Sequence, residues 1–248
     1  MTIETDKDLE ELRIIGRVVA VILKEMMSRT EPGMRTLELD LIGKELLEKY
    51  GATSAPKMTY DFPGYTCISI NEQAAHGIPG DRVIQAGDMV NIDVSAELNG
   101  YFADTGGSFV VPPGNYLKDK LIRSTQLALR EACNSARADR PLNGIGRSIQ
   151  KVAKQTGFKV IKNLCSHGVG RSLHEEPKEI HGYYVPQDKR VLHEGLVITI
   201  EPFLSTKSKF VTESDDGWTL SGSKGNLSAQ FEHTMVITKG APILLTVA

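Results

Sequence analysis

The feature that most constrains how this chain can fold is an internal echo, because its second half repeats the order of elements read in its first. From Asp8 to about Ser28 the apolar residues Leu9, Leu12, Ile15, Val19, Ile22, Leu23 and Met26 recur at helical spacing, and Glu31-Pro32-Gly33 stops the run. A second helix is expected from Thr36, read as its cap, to Tyr50, with Gly51 just beyond its end. Irregular chain from Ala52 to Thr66, broken by Pro56, Pro63 and Gly64, leads to a strand, CISIN, and a loop, EQAAHGIPG, that carries His76. Two acidic strands follow. The plan then recurs: helices over Tyr116 to about Arg137 and about Ile145 to Thr156, then FKVIKNLCSHGVG with His167. Leu196 to Thr212 stands for the first acidic strand, with Glu201 where the first half has Asp93. In the last strand, SAQFEHTMVIT, Glu232 stands where the first half has Asp104. Such a repeat predicts one domain of two α/β halves, about residues 1–113 and 114–248, related by a pseudo-twofold axis. Their equivalent strands meet, bringing Asp93, Asp104, Glu201, Glu232 and His167 to one concave sheet.

The first pair of acidic strands can be read residue by residue. Asn99-Gly100 tolerates the two positive φ values of a type I′ turn, so Leu98 pairs with Tyr101 and Ser95 with Asp104. Asp93, two residues before Ser95, shares that face, which makes the two aspartates diagonal cross-strand neighbours about 7–8 Å apart at the backbone. Two acids on a hairpin face are most often a solvated edge. Here Val90, Ile92 and Val94 alternate with Asn91, Asp93 and Ser95, so the opposite face is buried. Small neighbours, Ser95 and Gly106, leave room on the acidic face. That pattern describes a cavity wall, and its like charges repel unless a cation lies between them.

Composition excludes several classes. A chain of 248 residues, 40% hydrophobic and 24% charged, can bury a substantial core. A net charge of -2 with no Lys/Arg-rich run offers phosphate backbones no basic field, so nucleic acid is not an expected partner. The N-terminal MTIETDKDLE lacks the basic-then-apolar order of a signal peptide, and no apolar run approaches the roughly 20 residues of a membrane span. A cytoplasmic location is expected. Cys67, Cys133 and Cys165 match no zinc ribbon or CxxC pair and read as free thiols.

Four carboxylates with one imidazole form a sensible ligand set for two divalent cations, and a single imidazole admits Mn, Fe, Co or Zn. Paired metals about 3.5–4 Å apart can share a bridging carboxylate and a bridging water acidified toward hydroxide, a nucleophile for an amide carbonyl. His76 and His174 sit in Gly-flanked loops where backbone approaches a substrate closely. They suit hydrogen-bonding and proton-transfer roles. His181, His193 and His233 lack that acidic context and read as surface or packed residues.

Taken together, HGVGRSLHEEP, the NIDVS…GYFADTGGSF hairpin, ITIEPF and SAQFEHTMVIT resemble a type I methionine aminopeptidase, over nearly the whole chain from Leu12. The resemblance implies the α/β pita-bread fold, with a central curved antiparallel sheet and outer helices. It further implies Asp93, Asp104, His167, Glu201 and Glu232 as ligands of two metal ions, with Asp104 and Glu232 bridging. His76 and His174 would contact the scissile peptide, and Glu201 could serve as general base. Phe62, Cys67, Leu173 and Trp218 would hold the methionine side chain. The implied activity is removal of the initiator methionine from nascent polypeptides when the second residue is small, by a monomer whose work suits docking near the ribosome. Leu173 stands where many relatives have an aromatic residue, Ser166 where glycine is expected, and Ala75 where cysteine is frequent.

Two rivals share the fold: a proline-directed dipeptidase or aminopeptidase, and a metal-free binding module. The first usually carries a large extra N-terminal domain, whereas here the first helix begins within a few residues of Met1; against the second, all five ligands are present. A type II aminopeptidase needs an inserted helical segment where this chain has only Gly182 to His193.

Overall fold

A computed structural model describes all residues, 1–248. Helix α1 (Asp6–Arg29) starts at Thr5, whose hydroxyl accepts from the Asp8 backbone N–H while the Asp8 carboxylate accepts from the Thr5 N–H at 2.9 Å. This reciprocal cap satisfies two otherwise orphaned donors. Leu12, Ile15, Val19, Ile22 and Met26 form the buried stripe of α1. Each such side chain contributes about 1.5–3 kcal/mol through burial. Helix α2 (Thr36–Tyr50) ends at Gly51, whose φ of 70° makes the left-handed C-cap that glycine adopts without penalty. Arg35, not Thr36, is its N-cap. The Thr36 hydroxyl is instead used in tertiary structure, accepting from the Gly80 N–H and donating to the Gly80 carbonyl.

The stretch expected to be irregular holds β1 (Thr53–Ser54) and a short helix, α3 (Ala55–Tyr60). Pro56 does not break α3, because it lies in the first turn, where its missing N–H costs no hydrogen bond. Beyond come β2 (Cys67–Ile70) and β3 (Gln73–Ala75), the latter within the loop expected to carry His76. The central hairpin is β4 (Met89–Leu98) and β5 (Tyr101–Val110). Its register matches the sequence reading: Leu98 faces Tyr101, Ser95 faces Asp104, and Asp93 faces Gly106. Asn99 and Gly100 have φ of 55° and 79°, as the expected turn requires.

In the second half, α4 (Tyr116–Ser135) and α5 (Asn143–Thr156) precede β6 (Lys159–Val160), β7 (Cys165–Gly168) and β8 (Glu175–His181). Neither acidic strand expected there is continuous. The first divides into β9 (Val197–Ile200) and β10 (Phe203–Ser205) around Glu201-Pro202; β11 (Thr212–Glu213) and β12 (Leu220–Ser221) follow. Pro202 has no N–H for a ladder, which accounts for the break. The last strand divides into β13 (Ser228–Gln230) and β14 (His233–Val236), with β15 (Ile243–Leu244) closing the chain.

All ladders are antiparallel, in four sheets. Hydrogen bonds stitch the halves together where the strands break: Glu232 N–H donates to the Gly106 carbonyl at 2.9 Å, and the Thr234 hydroxyl donates to the Asp104 carbonyl at 2.7 Å. Val169, Leu173, Val197, Val236 and Leu245 join the core built under α1 and the hairpin, so packing also crosses between halves. No helix is long and apolar enough to cross a membrane.

Candidate metal centre

The breaks between β9 and β10 and between β13 and β14 fall at two of the acidic residues, Glu201 and Glu232. Glu201 follows β9, its backbone N–H held at 2.8 Å by the Ser166 hydroxyl, which gives the unexpected serine a role. Glu232 lies between β13 and β14, 2% exposed. Asp104, on β5, comes within 4.8 Å of both His167 and Glu232 through their ligand atoms. His167 Nε2 is 3.8 Å from Asp104 Oδ2 and 3.7 Å from Glu201 Oε1. Its Nδ1 is 2.9 Å from the Gly168 carbonyl, an acceptor only, so Nδ1 carries the proton and the Nε2 lone pair faces the carboxylates. Acceptor confronts acceptor.

This crowding shifts every group toward neutrality. Burial, then the neighbouring Asp104, pushes the Asp93, Glu201 and Glu232 carboxyls well above the usual carboxylate range. Burial raises Asp104 to about 6. His167 is lowered to about 3 by burial and by His174 beside it, so the ring stays neutral. Asp104 Oδ1 and Glu232 Oε1 are buried without any hydrogen-bond partner. An orphaned buried acceptor costs about 1–3 kcal/mol, more if charged.

Asp93, Asp104, His167 and Glu201 line one cavity of about 490 Å³; Phe62, Cys67, Leu173 and Trp218 form part of its wall. Phe62 and Trp218 meet edge to face with ring centroids 5.2 Å apart. His76 and His174 complete the wall. His76 has a φ of 53°, a strained value for a non-glycine residue and of the kind that collects at functional sites. The His174 ring centroid lies 4.1 Å from that of His167. By contrast, His181, His193 and His233 lie elsewhere, against Cys165, Thr2 and Thr246 respectively.

The model of metallopeptidase family M24 matches residues 10–239. The chain belongs to metallopeptidase family M24. It is 48% identical over 247 residues to methionine aminopeptidase 2 of Bacillus subtilis, with 99% of each chain covered. Identity to the methionine aminopeptidase of Escherichia coli K12 is 37% over 248 residues, covering 99% of this chain and 94% of that one. The crystal structure of methionine aminopeptidase from Thermotoga maritima superposes with a TM-score of 0.95 at 32% identity, covering both chains completely. A prolidase from Pyrococcus furiosus, at 23% identity, shares the fold with a TM-score of 0.78; this chain covers 66% of it. Within family M24 the chain is thus a metallo-aminopeptidase of the methionine aminopeptidase group with the pita-bread fold.

The donor set fits the metal such a hydrolase needs. Oxygen ligands with one neutral imidazole suit divalent ions, and a cation between His167 Nε2, Asp104 and Glu232 would satisfy the orphaned oxygens and reverse the repulsion. Sequence reasoning missed Gln230. Its amide nitrogen donates to Glu232 Oε2 at 3.1 Å and reaches Asp93 Oδ2 at 3.4 Å, while Asn91 donates to its amide oxygen at 2.8 Å. The signal was present, since Gln230 lies two residues before Glu232 in a strand-like run. Gly106 is required beside it, because an added Cβ would collide with the Gln230 amide. Gly106→Ala is therefore expected to displace this tether and weaken metal binding by about tenfold or more, measured by competition with a chromophoric chelator.

Proposed function

We propose that this chain hydrolyses the peptide bond after an N-terminal methionine, with two divalent cations held by Asp93, Asp104, His167, Glu201 and Glu232. The observation that carries this reading is the confrontation of buried acceptors, two of them orphaned, with Asp93, Asp104, His167 and Glu201 lining a cavity that has an aromatic and aliphatic wall. When bound, the ions supply Lewis acidity that polarises the scissile carbonyl and acidifies the attacking water. Glu201, whose backbone N–H is held by the Ser166 hydroxyl, takes the proton of that water and passes it to the leaving amine. His174 and His76 hold the scissile peptide by hydrogen bonds. Phe62, Cys67, Leu173 and Trp218 enclose the thioether side chain, whose unbranched stem suits an apolar slot.

On this reading the substrates are the N-termini of newly made proteins, and a small second residue is preferred, as the family resemblance implies. The test compares kcat/KM for Met-Ala-Ser, Met-Lys-Ser and Ala-Pro-Ser. Methionine release from the first alone is expected; equal cleavage of the lysine peptide removes the small-residue preference, and cleavage of the proline peptide favours a prolidase-like activity.

The pocket assignment has its own test. Trp218→Ala removes the edge-to-face partner of Phe62 and opens the apolar wall, so KM for Met-Ala-Ser should rise about tenfold with a smaller change in kcat. An unchanged KM would move the pocket elsewhere.

A further inference from the structure

One polar contact in the cavity wall belongs to neither the acid cluster nor the apolar slot. The Tyr60 hydroxyl lies 2.6 Å from Nδ1 of His174, and the two rings are tilted by 53° with centroids 5.5 Å apart. Tyr60 is the last residue of α3, and Asp61 caps that helix in the left-handed conformation with φ 57°. The Asp61 N–H donates to the Pro56 and Lys57 carbonyls, so the short helix is closed at its end and the phenol is presented from a fixed point. Both Tyr60 and His174 line the same cavity. The Tyr60 hydroxyl makes no other hydrogen bond, and His174 Nε2 makes none within the protein.

We propose that Tyr60 is a positioning residue that donates its phenolic proton to His174 Nδ1, which fixes the tautomer with hydrogen on Nε2 and aims that N–H into the cavity. The inference rests on the methionine aminopeptidase reading above, in which His174 bonds the scissile peptide. A neutral imidazole has one donor and one acceptor nitrogen, and the partner of one decides the character of the other. With Nδ1 accepting from the phenol, His174 can only donate from Nε2. A donor is what the carbonyl oxygen of a peptide under attack requires, because negative charge grows on that oxygen in the transition state.

A purely local role for this contact is a poor explanation. Tyr60 is 44% exposed, and a half-exposed phenol finds water as readily as a histidine. The exposed ring also contributes little burial to the fold, so the hydroxyl is dispensable for stability and its loss can be read at the site.

The test uses Tyr60→Phe in the full chain, which keeps the ring and deletes the hydroxyl. In two-bond ¹H–¹⁵N spectra of the metal-free wild type, with His174 assigned by comparison with His174→Asn, Nδ1 is expected unprotonated and Nε2 protonated. In Tyr60→Phe that pattern should give way to exchange between tautomers. With metal restored, kcat for Met-Ala-Ser should fall about tenfold or more while KM stays within about twofold. A wild-type spectrum with hydrogen on Nδ1 overturns the proposal. So does an unchanged kcat in the variant, and so does a rise in KM with kcat intact, which would make Tyr60 only a piece of cavity wall. If neither protein releases methionine, the functional reading fails, while the tautomer pattern still decides the role of Tyr60.

Discussion

Glu201→Gln should lower kcat for methionyl peptides by about 10²–10⁴-fold without loosening the fold. The amide keeps the shape of the side chain and leaves the backbone bond to Ser166 untouched. On the proposed reading, what disappears is a charge that would hold metal and a base that would take the proton of water. Stability gives the control. In the metal-free protein Glu201 belongs to a self-repelling group and is pushed toward its neutral form by burial and by Asp104, so the neutral variant should unfold at the same temperature or higher. A drop in Tm alongside the lost activity would indicate a damaged fold, and wild-type turnover would remove Glu201 from the chemistry.

Metal removal should produce the second large effect, and pH should set its size. The carboxyls of Asp93, Glu201 and Glu232 are raised well above their ordinary values by burial and like charge, and Asp104 is raised to about 6. A raised carboxyl keeps its proton in the folded state when the unfolded chain has lost it, so the metal-free fold loses stability as pH climbs from about 4 through the folded values. The buried His167, lowered to about 3, acts oppositely, but only below about pH 6.5, where an unfolded histidine charges. His76, His174 and His233, also lowered by burial, act in the same sense as His167. Once these histidines are neutral in both states, Tm of the metal-free protein should therefore fall with rising pH for as long as the carboxyls keep protons that the unfolded chain has lost. Metal binding displaces the protons, so its stabilisation should grow over the same range. At a metal concentration 100 times Kd the gain is about 2.7 kcal/mol, roughly 5–10 °C for a chain of this size. A metal-free Tm that nowhere falls with rising pH, with the same metal-induced rise at every pH, would mean that these carboxyls do not share one buried site.

Much of this site was legible in the sequence, for reasons that can be named. The register of β4 and β5 followed from Asn99-Gly100, because a two-residue turn leaves one pairing and a strand alternates faces with fixed period. The repeat in the sequence led to the expectation that Asp93, Asp104, His167, Glu201 and Glu232 lie together, and the structure brings their side chains close. Helix ends were readable where the backbone demands glycine, as at Gly51 and Gly157, both left-handed. Less legible were the places where tertiary contacts override local pattern. Both ladders, in ITIEPF and in SAQFEHTMVIT, break at the glutamates, although the apolar rhythm of the second runs on without interruption. Pro202 was the visible sign of the first break; nothing comparable marks Phe231. Helix α3 is six residues long, too short for periodicity to reveal. Thr36 looked like a cap because its side chain suits one, but it spends its hydroxyl on Gly80, 44 residues away. The contacts of Tyr60 with His174 and of Gln230 with Asp93 were hidden for a related reason: each pair is remote in sequence and becomes neighbouring only in the folded chain.

The most direct measurement is methionine release from Met-Ala-Ser by protein stripped of metal and then reloaded separately with Mn, Co, Fe or Zn. No release from the stripped protein and recovery with at least one of these ions is the expected result, with Asp104→Asn failing to recover. Release that persists undiminished after stripping, or that Asp104→Asn restores as fully as the wild type, would contradict a metal-dependent site built on these residues.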